Sequence, residues 1–251
     1  MLVLNDNTRR RRVPLATHAL VGLNAAVFLM QLGLSDAHLE AFFYEYGLVP
    51  LRYSRPDWAM AVGLTPMSPW PFLTALFLHG GWLHIIGNMW MLWVFGRSLE
   101  ERMGAARFLG FYLLGGMGAM MAQFLTHVTS PAPIVGASGA IAAVLAGYLV
   151  LYPLSWLTCV VPIFIFPIFL RLPAFLFILF WFWMQLFSGT LALVGPTHGG
   201  GVAWWAHIGG FVLGLFLLRW FLPPKKPHRE TPPPPVWAPP RRTVQASPWR
   251  Y

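Results

Sequence analysis

The sequence predicts an all-α membrane protein, a bundle of six transmembrane helices with both termini on one side. Three observations predict it. Only 10% of the 251 residues are charged and 57% are hydrophobic, whereas a soluble domain of this size carries about 25% charged residues; the mean hydropathy is +0.60. Six apolar runs reach the roughly 20 residues needed to cross a bilayer. When those runs are threaded through a membrane, 15 of the 17 Lys and Arg fall on one side, the bias that cytoplasmic loops carry. The composition excludes a secreted disulfide scaffold, since Cys159 has no partner in the chain. It also excludes a disordered chain and, despite a net charge of +9, a solvent-exposed nucleic-acid binder.

The elements follow in order. Residues 1–14 form a basic cytoplasmic N-terminus around Arg9, Arg10, Arg11 and Arg12. The first run, 15–34, has an apolar core longer than the ~7–15 residues of a signal peptide and lacks a small-residue cleavage site, so it reads as an uncleaved span. A long outer loop carries Arg52 and Arg55 among Asp36, Glu40, Glu45 and Asp57. Span two covers 79–97, and the inner connection after it holds Arg97, Arg102 and Arg107. Spans three to six cover 107–126, 134–152, 173–194 and 202–222, which closes a membrane domain at 15–222. The apolar stretch 154–170 contains Pro162 and Pro167, each of which removes a helical hydrogen bond, and it ends at Arg171. It reads as an interfacial or partly buried connector. Making it a seventh span would move Arg219 and the six basic residues beyond it to the outside. The tail 223–251 is rich in Pro and basic residues, which predicts a disordered or polyproline-like cytoplasmic segment able to touch anionic lipid.

Polar groups inside spans are functional hypotheses by default. Span two carries His79, His84 and Asn88, span four opens Gly136-Ala137-Ser138-Gly139-Ala140, and span six opens with Ala206-His207-Ile208-Gly209-Gly210. All three spans run from outside to inside, so a helical rise of 1.5 Å per residue sets Ser138, His207, His84 and Asn88 roughly 6–14 Å below the outer boundary. Taken singly, each has a plain structural reading. A Ser after Gly lets helices approach, a buried His is more often hydrogen-bonded than basic, and His84 with Asn88, spaced i, i+4, could clamp two helices. Taken together they supply a nucleophile, a base and oxyanion donors, the set that amide hydrolysis needs. No cofactor or metal is expected: the chain lacks His-Glu-x-x-His and a carboxylate to complete a zinc site with these histidines. A transporter would call for paired intramembrane carboxylates or broken helices in matched halves.

The segments His79-Gly-Gly-Trp-Leu-His84-Ile-Ile-Gly-Asn88, Gly96-Arg-Ser-Leu-Glu100-Glu-Arg102-Met-Gly104, Gly136-Ala-Ser138-Gly139-Ala140 and Ala206-His207-Ile-Gly-Gly210-Phe-Val-Leu-Gly214 resemble the rhomboid family of intramembrane serine proteases. The resemblance runs from residue 72 to about 220. It implies a rhomboid-like six-span bundle in which Ser138 is the nucleophile and His207 the general base of a dyad without a carboxylate. It further implies an oxyanion hole from the Ser138 backbone N–H, His84 and Asn88, with Gly136, Gly139, His79 and Gly210 shaping the site. Gly210 and Gly214 form a G-x-x-x-G step that lets span six pack closely on span four. Glu100 and Arg102 match a segment that caps and staples the inner end of span two. The first loop, with Trp58, Trp70 and 42–46, resembles the family's interfacial loop, whose aromatics suit the headgroup layer. Four residues after the serine, where some members stack an aromatic on the histidine, this chain has Ala142, so another side chain must support the His207 ring. The implied setting is a bacterial inner (plasma) membrane with both termini cytoplasmic and the site opening to the outside. The implied partners are single-span or other membrane-protein substrates and the lipid bilayer, with no nucleic acid and the oligomeric state left open. The alternative is a non-catalytic rhomboid-like binder of membrane helices.

Overall fold

A computed structural model of the chain describes residues 2–163, 166–194 and 202–224. Residues 195–201, between the last two predicted spans, and the part of the predicted tail from 225 onward lie outside the described residues. In chain order the elements are β1 (Leu2–Asp6), α1 (Leu15–Leu32), α2 (Asp36–Tyr46), α3 (Leu51–Ser54), α4 (Pro56–Ala61), α5 (Pro71–Thr74), α6 (Trp82–Met91), α7 (Arg97–Met103), α8 (Ala105–Thr126), α9 (Ser138–Leu151), β2 (Trp156–Ile163), β3 (Phe166–Pro173), α10 (Ala174–Val194) and α11 (Trp204–Phe221). The architecture is a helical membrane bundle. Among the described residues four helices, α1, α8, α10 and α11, are long and apolar enough to cross a bilayer. In the predicted second span, α6, a π turn (Leu92–Gly96) and α7 follow one another without a break. The predicted fourth is represented by the shorter α9.

Small residues decide which helices lie closest. Helices α8, α9 and α11 meet through glycine: a Cβ on Gly115 would come within 2.6 Å of the Ala143 Cβ, and one on Gly214 within 2.6 Å of the Ala143 Cα. Real Cβ atoms do not approach so closely, so these backbones pack at distances only glycine permits. The buried positions Ala140 to Tyr148 of α9 form one unbroken run. This helix is sequestered on every side, as its all-round hydrophobicity demands.

Glu100 of α7 is buried and accepts three hydrogen bonds. They come from Ala16 N, Thr17 N and Thr17 Oγ1, each at 2.8 Å. Those backbone N–H groups open α1 and have no partner within the helix, so the carboxylate closes the helix end and stands at its positive pole. In the outer loop, Arg52 is fully buried and donates to the Glu45 carbonyl at 3.0 Å and its carboxylate at 3.1 Å, tying α3 to the end of α2.

The expectation of an all-helical chain needs one amendment. Residues 2–6, read as part of a basic terminus, and most of the stretch 154–170, read as a connector, contribute strands to a three-stranded antiparallel sheet ordered β1-β2-β3. The helical period is absent from 156–173, while β-branched and aromatic residues dominate it. Pro162 pairs with Pro167 across β2 and β3, whereas β1 reaches only as far as Val160. The missing amide of Pro162 therefore costs no bond on the β1 side. The strand β1 is locked to the bundle by Asp6, whose Oδ2 accepts from Thr8 Oγ1 (2.6 Å), Ser98 Oγ (2.8 Å) and Tyr148 OH (2.8 Å), while Arg10 pairs with its other oxygen.

Candidate active site

Ser138 is the first residue of α9, not the fourth or fifth as an apolar run from 134 implied. The reason lies in the preceding residues. Leu48 and Ile134 exchange backbone hydrogen bonds at 3.0 and 2.8 Å, and Gly136 N donates to the Ala75 carbonyl at 2.8 Å. Residues 134–136 are thus pinned in extended form, and the helix starts only after them. Gly136 has φ +128°, and a Cβ there would sit 2.7 Å from His84 Nε2. Conformation and space both demand glycine. Starting at the helix N-terminus, Ser138 carries its own N–H in the first turn, where amides are free of intrahelical partners and the helix dipole favours negative charge.

His207 is the fourth residue of α11. Its level is set from α8, where Gln123 Oε1 accepts from Ala206 N at 3.0 Å. It is also set from α9: a Cβ on Gly210 would collide with the Gly139 carbonyl oxygen, and one on Gly139 would lie 2.5 Å from the Ala119 Cβ. The close approach brings Ser138 Oγ to 2.7 Å from His207 Nε2. These side chains are 69 positions apart in sequence, and they meet although each helix presents few other polar groups. The serine is half-buried and the imidazole buried.

The other face of the ring answers the question left by Ala142, which is buried in α9. His207 Nδ1 lies 2.7 Å from Gln185 Oε1 of α10, and the Gln185 Nε2 donates to the Trp181 carbonyl at 2.9 Å. The Trp181 ring packs beside the imidazole with centroids 5.8 Å apart and planes 36° inclined. Trp204 meets it edge-on at 6.2 Å. Neither Gln185 nor Trp181 was singled out as a site residue. The signal was there for Gln185, the one amide side chain in the apolar run 173–194, where a polar group is a functional hypothesis.

Two of the proposed oxyanion donors converge around Gly136. His84 accepts a long hydrogen bond from Gly80 N at its Nδ1 (3.4 Å), which puts the proton on Nε2, the atom facing Gly136. The Asn88 Nδ2 is 3.7 Å from the same Cβ position. It is buried and has no acceptor among the described residues, a state that costs about 1–3 kcal/mol for an amide donor. His79 stands behind His84, its ring edge-on at 5.0 Å. Its backbone is held by Gln31, whose Nε2 donates to the His79 carbonyl at 2.8 Å and whose Oε1 accepts from His79 N at 3.2 Å. Among the described residues no group of three or more His, Cys, Asp or Glu could hold a metal ion.

A family model described as "Rhomboid domain" matches residues 66–224. The chain is similar to RHOMBOID-like protein 5 of Arabidopsis thaliana, at 29% identity over 148 residues, 59% of this chain and 42% of that protein. Rhomboid protease GluP of Bacillus subtilis (strain 168) is 43% identical over 72 residues, 29% of this chain and 14% of that protein. Rhomboid-like protein 11, chloroplastic, of Arabidopsis thaliana is 32% identical over 132 residues, 52% and 42% of the two chains. The matched segment spans less than half the length of each of these relatives.

Proposed function

The chain belongs to the rhomboid family of integral membrane proteins, and on that premise we propose that it is an intramembrane serine endopeptidase. The observation that carries this reading is the 2.7 Å contact of Ser138 Oγ with His207 Nε2 across two helices. In this reading Ser138 Oγ attacks the carbonyl carbon of a scissile peptide and His207 Nε2 takes its proton. The resulting oxyanion is met by the Ser138 N–H, His84 Nε2 and Asn88 Nδ2. His207 then protonates the leaving amine as the C–N bond breaks, and water hydrolyses the acyl-enzyme by the same route in reverse. The buried, unpartnered Asn88 amide supports the oxyanion assignment, because a donor desolvated in advance costs no reorganisation when charge develops. No carboxylate takes part.

The substrates in this reading are membrane proteins whose helices unwind locally, since a helical amide is shielded by its own hydrogen bonds. The distribution of basic residues supports six spans with both termini cytoplasmic and a site opening toward the outer face; the membrane in this reading is a bacterial plasma membrane. The test is cleavage of a single-span reporter by the full chain in proteoliposomes. Ser138→Ala and His207→Ala are expected to reduce turnover by about 10³-fold or more. A fluorophosphonate is expected to label Ser138 in the wild type but not in His207→Ala. Cleavage that survives Ser138→Ala would exclude the serine mechanism, and an unlabelled wild type that still binds the reporter would favour a non-catalytic binder.

A further inference from the structure

We propose that Gln185 is a positioning residue for His207, a neutral counterpart of the carboxylate that completes a Ser-His-Asp triad. The proposal rests on the serine-protease reading above and extends it to α10. A side-chain amide presents one acceptor oxygen and one donor nitrogen, and its hydrogen bonds decide which faces which way. Here the Gln185 nitrogen faces a backbone carbonyl, that of Trp181 at 2.9 Å, and a carbonyl can only accept. The Gln185 Oε1 therefore faces His207 Nδ1 at 2.7 Å, and an amide oxygen can likewise only accept. Nδ1 must then carry the ring proton. The remaining nitrogen, Nε2, is left with its lone pair toward Ser138 Oγ at 2.7 Å, the tautomer a general base requires.

The chain of inference starts at a backbone carbonyl of α10 and ends at the serine hydroxyl, with one hydrogen-bond assignment at each step. Gln185 is buried, so water does not compete for Nδ1. Residues 181 and 185 are spaced i, i+4 and lie on one helix face. The same turn thus supplies the Trp181 ring beside the imidazole and the acceptor beneath it. Oriented imidazole is part of the 10²–10⁴-fold that a placed general base contributes. The orientation is held here by a helix that bears neither the nucleophile nor the base.

The test uses the full chain in proteoliposomes with the single-span reporter and a fluorophosphonate. Gln185→Met keeps length and removes the acceptor, while Gln185→Glu keeps an acceptor oxygen at the same reach. Gln185→Met is expected to lower kcat by about 10- to 100-fold with KM within twofold, and to slow phosphonylation of Ser138 to a similar degree per folded molecule. Gln185→Glu is expected to retain at least about a third of the wild-type kcat. Wild-type turnover in Gln185→Met would overturn the proposal, as would a Gln185→Glu variant as slow as Gln185→Met. So would a Gln185→Met variant that loses only melting temperature, its labelling rate per folded molecule unchanged, because that is the signature of packing alone. A wild type that is itself unlabelled at Ser138 would instead overturn the serine-protease reading on which this one stands.

Discussion

The three-helix unit α8, α9 and α11 and the single helix α10 are held in opposite ways. The first is joined through glycine and alanine: Gly115 and Gly214 lie on Ala143, Gly210 lies on Gly139, and a Cβ on Gly116 would come within 3.0 Å of the Ala140 Cβ. Its backbones touch, and nothing in it can slide without a clash. Helix α10 presents Phe180, Trp183 and Phe187 outward, each about half exposed or more. Its span-length window is 22% buried, against 33–44% in the other three span-capable helices. Its buried residues are Ala174, Phe177, Ile178, Gln185 and Gly189, joined on the inward side by Trp181 and Phe182. The candidate nucleophile and base therefore sit on the unit whose backbones pack most closely, whereas Gln185, in contact with the base, sits on the least buried of the span-length helices. In packed bundles rigidity follows from small residues rather than from hydrophobicity, and α10 is apolar throughout without being tightly held.

The largest effect should come from breaking the rigid unit. Gly210→Val drives a side chain into the Gly139 carbonyl and forces α11 away from α9. Overpacking of this kind costs about 1–3 kcal/mol or more, so the melting temperature in micelles should fall and reporter cleavage should vanish with it. Gly136→Ala comes next. A left-handed φ and a methyl 2.7 Å from His84 Nε2 should displace one oxyanion donor and lower kcat by about 10²–10³-fold. The fold should survive, since the strain at one residue is of order 1–3 kcal/mol; unaltered kcat in a folded protein would refute the assignment of His84. Glu100→Ala should do the reverse. It leaves three donors at the start of α1 unpaired, at about 1–3 kcal/mol, and should reduce thermal stability with kcat per folded molecule unchanged. The smallest effect is expected for Phe187→Ala on the outward face of α10, within about 0.5 kcal/mol by thermal melting. A large loss there would mean that α10 is docked as firmly as α11.

Much of this was legible in the residues. The six apolar runs coincide with helical segments because hydrophobic length is a local property, readable from composition alone. Ser138, His207, His84 and Asn88 stood out because a polar group in an apolar run is expensive and therefore informative. Their placement was less legible. Ser138 opens α9 because 134–136 pair with residues from the outer loop, a contact no local pattern reports. The sheet was not legible for a related reason: β1 and β2 pair residues some 150 positions apart, and β1 is only five residues long. Arg52, read as a loop charge, and Asp6, which no local pattern marks, are both buried because their partners come from elsewhere in the chain.

The sequence by itself determined that the chain is an apolar helical bundle, which residues in it are chemically capable, and where along the chain its basic residues fall. Each of these depends on residue type and spacing within one segment. Only the tertiary structure decided that His84 Nε2 faces Gly136, that Ser138 and His207 share a hydrogen bond, and that Gln185 contacts the ring where Ala142 does not. A hydrogen bond needs two groups within about 3 Å at defined angles. In a bundle that condition is set by how closely glycines let the helices approach, which is a property of helix pairs and belongs to no single segment.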